Sequence, residues 1–232
     1  MKLLTAGNPK IEKGLKKGFL PFILHLSPAD VAGYNTCPKA TEGCKAACLN
    51  TAGRGGMFKP GGTNTIQEAR KRKTRTFFEQ REEFLTLLIK DIKLGIKQAE
   101  KKGLTPVFRL NGTSDLSFEK YGIFEQFPEV QFYDYTKVLG RKVKHLTNYH
   151  LTFSAAESNQ ADVEKAVAQG MNVAVVFDKL PETYLGRPVF DGDQDDLRFK
   201  DPAGVIVGLK AKGRARKDTS GFVRRTIPIK AV

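Results

Sequence analysis

Cysteine is scarce and tryptophan is absent, since the 232 residues include three Cys and no Trp. Cys37, Cys44 and Cys48 are odd in number and close together, in a chain without a secretory signal pattern, which argues against a disulfide framework. The sequence also lacks an apolar run of the roughly 18 to 20 residues that a membrane span needs. The apolar stretch 18–26 is short and is interrupted by Pro21. We therefore expect a cytoplasmic protein with no membrane partner.

Acidic residues are the minority, with 25 Asp and Glu against 39 Lys and Arg, which leaves a net charge of +14. Such a surplus attracts anions, so it favours nucleic acid, phosphorylated metabolites or an acidic redox protein as partners. A solvated basic surface without a specific partner explains the same charge. Hydrophobic residues make up 40% of the chain and charged residues 28%, as in an ordinary globular protein. We expect a single domain over residues 1–232.

Short apolar segments alternate with helical or loop segments along most of the chain. We expect helical structure from Thr63 or Asn64 to Lys102, as two helices that meet near residues 78–80, and a further helix over 160–169. Nearly continuous apolar strands of this kind indicate a parallel sheet covered on both faces. The six predicted strands cover residues 22–27, 107–110, 130–135, 150–154, 173–178 and 204–209. The remaining segments are a lead-in over 1–18, a long cysteine-bearing loop over 29–62 and a basic C-terminal segment over 210–232.

The cysteine spacing is Cys37-x6-Cys44-x3-Cys48, all within the long loop that follows the first main strand. Structural zinc sites normally pair their cysteines at C-x2-C and use four ligands. Zinc here needs a histidine from outside the loop, namely His25, His145 or His150. Three thiolates that hold three irons of a 4Fe–4S cluster, with the fourth iron open, fit the count better. His25, the nearest histidine in sequence, is the candidate fourth ligand.

The cysteine loop and its flanks resemble a known family. The segments that carry the resemblance are Leu24–Ala29, Gly33–Pro38, Gly43-Cys44, Cys48–Thr51, Gly53–Gly55, Ala69-Arg70 and Arg75-Thr76. They are similar to the phage "gene product eighty-eight" family, and the resemblance covers most of the chain. A phage origin implies the host cytoplasm as the location.

The layout also resembles, more distantly, the radical S-adenosylmethionine (SAM) superfamily. That resemblance implies an α/β fold with a partial or closed β/α barrel, similar to a TIM barrel, of about six parallel strands and a cluster loop after the first. It implies SAM as a possible second cofactor. Gly204 and Gly208 on the last strand are similar to the superfamily's adenine-contacting element. Two glycines that bound a buried strand are the alternative explanation.

Polar residues stand directly after most predicted strands. Because the carboxyl ends of parallel strands meet at one edge, these residues outline a candidate cofactor pocket. Helix caps and salt bridges are the alternative roles for each of them. The candidates are Asn111, Asp115, Ser154, Glu157 and Asp178.

Two basic stretches are candidates for anion binding. We expect Arg70, Arg72, Lys73 and Arg75 to form a phosphate-binding stripe, with Arg214 and Arg216 repeating it in the C-terminal segment. A solvated surface is the alternative. Residues 191–196 form an acidic stretch that lacks the distal Glu of a calcium loop, and we expect it to be an exposed loop.

The sequence leaves three functions open and assigns no catalytic residue. The first is a radical-SAM-type enzyme that acts on an unidentified small molecule. The second is a non-catalytic cluster protein, such as an electron carrier with an acidic donor, a redox sensor or a nucleic-acid-binding scaffold. The third is a zinc-stabilised binding protein.

Overall fold

A computed structural model describes residues 1–6, 14–58, 62 and 64–226 of the chain. Ten strands lie in these residues: β1 (Leu4–Thr5), β2 (Phe19–Leu24), β3 (Thr105–Arg109), β4 (Gln131–Thr136), β5 (Tyr149–Ser154), β6 (Val173–Phe177), β7 (Thr183–Tyr184), β8 (Arg187–Asp191), β9 (Ile206–Lys210) and β10 (Val223–Arg224). Four helices are fully described: α1 (Glu42–Ala46), α2 (Thr65–Glu79), α3 (Arg81–Glu100) and α4 (Gln160–Ala168).

The strands form one large, mostly parallel sheet. Its order is β1-β2-β3-β4-β5-β6-β9-β8-β7, and β10 pairs in parallel with the end of β6, at Val223↔Val176. The neighbours from β2 to β8 are all parallel, whereas β1 is antiparallel to β2 and β7 is antiparallel to β8. The carboxyl ends of the parallel strands therefore share one edge of the sheet, which we call the carboxyl edge.

All six predicted strands are present as parallel neighbours, and the mixed α/β class is confirmed. Closure of the sheet into a barrel is not shown, because no pairing of the described strands joins β1 to β7 at the two ends of the sheet. The regular β/α alternation is also absent, since β3, β4 and β5 are connected mainly by irregular chain. Strand β8 was not predicted, because its sequence Arg187–Asp191 mixes Pro and charged residues with only two apolar ones.

The helices cover one face of the sheet, which we call the helical face. As predicted, Asn64 caps the first long helix and the two long helices meet at Gln80. Phe84, Leu88 and Ile92 of α3 are fully buried against Phe22 and Phe108 of the sheet. The predicted helix 160–169 is confirmed as α4, which buries Val163 and Ala166 against β5 and β6.

Residues 190–201 cover the opposite face, which we call the ionic face. Leu197 packs against Val107 and Tyr133, and the Phe199 ring meets Phe19 edge-on. The expectation of an exposed acidic loop over 191–196 is therefore wrong at its C-terminal end. Asp195 and Asp196 are about 95% buried because arginine and lysine side chains pair with them there.

Parts of the predicted segments have structure of their own. In the lead-in 1–18, β1 pairs with β2, while residues 7–13 lie outside the described residues. The loop 29–62 contains α1 and two 3₁₀ turns, Leu49–Thr51 and Gly53–Gly56. Residues 59–61, 63 and 227–232 lie outside the described residues. None of the described helices is long and apolar enough to cross a membrane.

Candidate functional site

The cysteine loop leaves the sheet at the carboxyl edge, just beyond β2. The Thr36 hydroxyl donates to the Ser27 carbonyl at 2.6 Å, and the Thr36 N–H donates to the Ala29 carbonyl at 3.0 Å. These bonds close the chain between residues 27 and 36 into a compact turn. The turn returns the chain to the strand it left, so Cys37 is held close to the carboxyl edge.

The segment after β3 supports Cys37 from the side. The Cys37 thiol lies 3.8 Å from the carbonyl oxygen of Thr113, and the Asp115 N–H donates to the Thr36 carbonyl at 2.8 Å. Gly112 lets this segment approach β2, because a Cβ there would lie 2.6 Å from Ile23 Cγ2. The glycine is therefore required by packing between two segments of the site.

Glu157 holds the helix that carries Cys44. One carboxylate oxygen accepts from the Gly43 N–H at 2.7 Å, and the other accepts from the Thr41 hydroxyl at 2.7 Å. Thr41 in turn caps α1 by accepting from the Cys44 N–H at 3.2 Å. A carboxylate at a helix N-terminus satisfies N–H groups that the helix leaves unpaired. Glu157, predicted as a cofactor residue, is thus occupied in positioning Cys44.

A buried amide network holds the chain beside Cys48. The Asn50 N–H donates to the Cys48 sulfur at 3.5 Å. The Asn50 side-chain amide donates to the side-chain oxygen of Gln67 at 2.9 Å. The Gln67 side-chain amide donates back to the backbone carbonyl of Asn50 at 2.7 Å. Arg70 donates to the Asn50 side-chain oxygen at 2.6 Å. Sequence reasoning missed Asn50 and Gln67, although Gln67 and Arg70 lie three residues apart on one helix face.

The three thiols influence one another electrostatically. Burial raises the pKa of the Cys37 thiol, and Cys44 and Asp115 raise it further. Burial also raises the pKa of the Cys48 thiol, and the other two cysteines add to that shift while Lys137 opposes it. Cys37 and Cys48 are therefore held as neutral thiols at neutral pH, and a bound cation would have to displace their protons.

All three cysteines are free and partly buried. Over the described part of the chain, however, no three or more His, Cys, Asp and Glu side chains are grouped so as to hold a metal ion. The loop thus brings thiols near one another without forming a finished ligand set.

His25 lies next to this site, on the ionic side of β2. Burial, together with the positive charges of Arg70, Arg109 and Lys73, lowers its pKa to about 3, although Asp196 opposes the shift. The imidazole is therefore neutral at physiological pH, which is the form that binds metals. Its role as a fourth ligand stays a prediction, since no ligand group in the described chain includes it.

Two of the predicted cofactor residues meet at the carboxyl edge. The Lys137 ammonium donates to the Ser154 hydroxyl at 3.2 Å, and the Lys137 N–H donates to the Asp115 carboxylate at 2.7 Å. Lys137, which also follows a predicted strand, connects two of the predicted residues, and its charge acts on Cys48. Because Asp115, Lys137 and Ser154 come from the ends of three neighbouring parallel strands, the sheet brings them together.

Other predicted cofactor residues have structural roles. The Asn111 side chain is buried, where it accepts from the Leu116 N–H at 2.8 Å. The Asp178 carboxylate accepts from the Thr226 N–H at 3.0 Å. Gly208 lies mid-strand, where a Cβ would come within 2.6 Å of Val189, and Gly204 adopts a positive φ of 71° before β9 begins. Close packing at Gly208 and the positive φ at Gly204 therefore explain both glycines without a bound ligand.

The predicted basic stripe is divided between different environments. Arg70 binds Asn50, and the buried Lys73 ammonium donates to the Leu3 carbonyl at 2.6 Å. Arg72 and Arg75 are exposed on α2. Arg214 and Arg216 are exposed on both sides of Ala215, which packs against Ala47 beside α1.

Comparison with protein families identifies a relationship over nearly the whole chain. Residues 2–226 match the family described as Gene product 88. A search of the curated proteins gives no match, and neither does a search of the solved structures. The match includes the cysteine loop and every strand of the sheet, and it confirms the family predicted from the cysteine motif. The chain belongs to the gene product 88 family.

Proposed function

We propose that this chain is an iron–sulfur protein in which Cys37, Cys44 and Cys48 bind a 4Fe–4S cluster. The observation that carries the proposal is the placement of three free, partly buried cysteines on one loop at the carboxyl edge. Thiolates are soft ligands that select iron–sulfur clusters, zinc and copper(I). Three of them leave one iron of a cubane without a protein thiolate, and the chain has no fourth cysteine.

The donor set fits such a cluster in ligand type and in location. The described side chains are not yet gathered into a ligand group, so the proposal requires the loop to close on the metal as it binds. Coupling of this kind is common, because thiols lose their protons only as the metal binds and a site is seldom preformed without it. Glu157 and the Asn50–Gln67 network hold the flanks of the loop, which limits the movement to the thiols.

A bound cluster supplies one-electron transfer and a coordination position at the iron that lacks a cysteine ligand. The chain's own residues orient the cysteines and offset the negative charge of their thiolates. Lys137 places a positive charge near Cys48, which favours the thiolate over the thiol. Neutral His25 carries no charge to repel an incoming metal ion.

A radical-SAM-type enzyme is the second candidate, because Lys137, Ser154 and Asp115 lie together at the edge where parallel sheets place their chemistry. An electron-transfer protein or scaffold needs no such polar group beside its cluster. The two candidates are distinguished by adding SAM to the reduced protein. A changed EPR signal and the release of deoxyadenosine support the enzyme, and an unchanged signal supports the non-catalytic protein.

The cluster is tested by anaerobic reconstitution with iron and sulfide. We expect brown protein with about four irons and four sulfides per chain. Cys37→Ala, Cys44→Ala and Cys48→Ala should each abolish the colour, whereas Lys45→Ala, a change beside Cys44 in the same helix, should retain it. Colourless protein with stoichiometric zinc would instead support the zinc-stabilised binding protein, and protein without any metal would overturn both.

A further inference from the structure

A groove lies between the N-terminal residues and α2, and the three cysteines are not among the described residues that line it. Its volume is about 610 Å³, within the range of small-molecule sites. The charged side chains that line it are Lys2, Arg72, Lys73, Arg75, Glu79 and Glu83. Four cations and two carboxylates leave an excess of two positive charges when all are ionised.

The four cations of the groove differ from Lys71 of α2 in how they are paired. In the part of the chain that the structure describes, none of them forms a salt bridge, although two carboxylates line the same groove. The contrast lies on the same helix, where Lys71 pairs with Glu68 at 2.9 Å. Glu79 instead accepts a hydrogen bond from the Tyr34 hydroxyl at 2.9 Å.

Lys73 is the unusual member of the set, because it is a lysine with only 7% of its surface exposed. Its ammonium has three N–H groups, and the structure gives it one acceptor, the Leu3 carbonyl at 2.6 Å. Burial and the positive charges of Arg70, Arg72 and Lys2 together lower its pKa to about 8, although Asp91 opposes the shift. Holding a buried ammonium among like charges is unfavourable, and an anion in the groove would relieve it.

We propose that this groove binds the phosphate group of a nucleotide, either free or within a nucleic acid strand. The net charge of the groove matches a dianionic phosphate monoester or two adjacent phosphodiesters. Arg72 and Arg75 lie three residues apart, so both reach the same side of α2. Arginine pairs with phosphate through parallel hydrogen bonds. The site is independent of the cluster.

The test measures binding of a short fluorescein-labelled single strand, as DNA and as RNA, and of free AMP as a competitor, at low and moderate salt. Arg72→Ala and Arg75→Ala should each weaken binding about tenfold, because each removes a charged hydrogen bond. Each should also reduce the salt slope by about one phosphate contact. Both arginines are exposed, so the variants should remain folded, which circular dichroism checks.

The matched controls are Arg214→Ala and Arg216→Ala, which make the same change in the other basic segment. They should bind as the unmodified protein does. Competition by AMP at its own affinity identifies a free nucleotide as the ligand, and binding of the strand without competition by AMP identifies nucleic acid. Equal losses in the groove and control variants would mean general charge attraction and would overturn the site. Absence of binding by strand and AMP at low salt would overturn it as well.

Discussion

The two faces of the sheet are built in opposite ways. On the helical face, Phe22 stacks on Phe108 with ring centroids 5.2 Å apart, and α3 covers them with fully buried apolar side chains. On the ionic face, Arg109, the residue after Phe108 in β3, pairs with Asp196 of the segment 190–201. The guanidinium nitrogen and the carboxylate oxygen lie 3.0 Å apart. One face is covered by apolar helix side chains, and the other is covered by a segment that brings buried ion pairs against the sheet.

The ionic face buries charged and polar side chains, which need partners to offset the loss of water. Arg198 is completely buried, and it pairs with Asp201 at 3.2 Å and with Asp195 at 3.4 Å. The Tyr133 hydroxyl is buried there without a hydrogen-bond partner in the described chain. Buried ion pairs recover little more than the cost of desolvation, whereas apolar packing is favourable outright. The faces should therefore respond differently to mutation and to pH.

The largest effect is expected on the helical face. Phe108→Ala leaves a cavity in a fully buried cluster and should lower the free energy of unfolding by about 4 kcal/mol. Urea unfolding followed by circular dichroism measures it. Leu94→Ala on α3, where the side chain is 53% exposed, is the control and should change it by less than about 0.5 kcal/mol. Similar losses in both variants would mean that α3 does not cover the sheet as described.

The ionic face should show strong coupling between its partners. Arg109→Met leaves Asp196 buried beside a neutral side chain and should cost about 3 kcal/mol. The double variant Arg109→Met/Asp196→Leu removes both charges and should recover most of that loss. Additive losses in this double-mutant cycle would show that the two side chains do not depend on each other.

The smallest expected effect is a pH dependence specific to the ionic face. Burial raises the pKa of Asp201 to about 6, although Arg198 opposes the shift. Because the folded state keeps this proton to a higher pH than the unfolded chain does, stability from Asp201 is lost as pH rises from about 4 to about 6. The variant Asp201→Asn has no carboxyl proton to lose. The stability of this variant, relative to the unmodified protein, should therefore rise by about 2 kcal/mol over that interval.

The control for this prediction is Asp30→Asn, which makes the same chemical change at an exposed position in the cysteine loop. Urea unfolding at both pH values gives the comparison. If Asp201→Asn and the unmodified protein keep a constant difference in stability, then Asp201 is not the buried acid that the ionic face requires. The difference in stability between Phe108→Ala and the unmodified protein should stay constant between the two pH values. The two faces are thereby distinguished a second time.

Much of the helical face could be read from the sequence, because its signals are local. The apolar runs of β2, β3, β4, β5, β6 and β9 are typical of buried parallel strands, and the periodic leucines and isoleucines of α3 predict a helix that covers them. The cysteine loop and the family could also be identified, since the three thiols lie within one short segment. The ionic face could not, because Asp195 and Asp196 look like solvated acids until Lys17 and Arg109, both distant in sequence, pair with them.

The sequence by itself therefore determined the six main strands, the two long helices and the clustering of Cys37, Cys44 and Cys48 in one loop. Tertiary structure alone decided which polar side chains meet. Glu157 reaches α1, Gln67 binds Asn50, and Lys2 joins the α2 arginines around one groove. Strand and helix signals depend on neighbours in sequence. Contacts between polar side chains depend on how loops fold back over the sheet edge, and spacing along the chain does not encode that path.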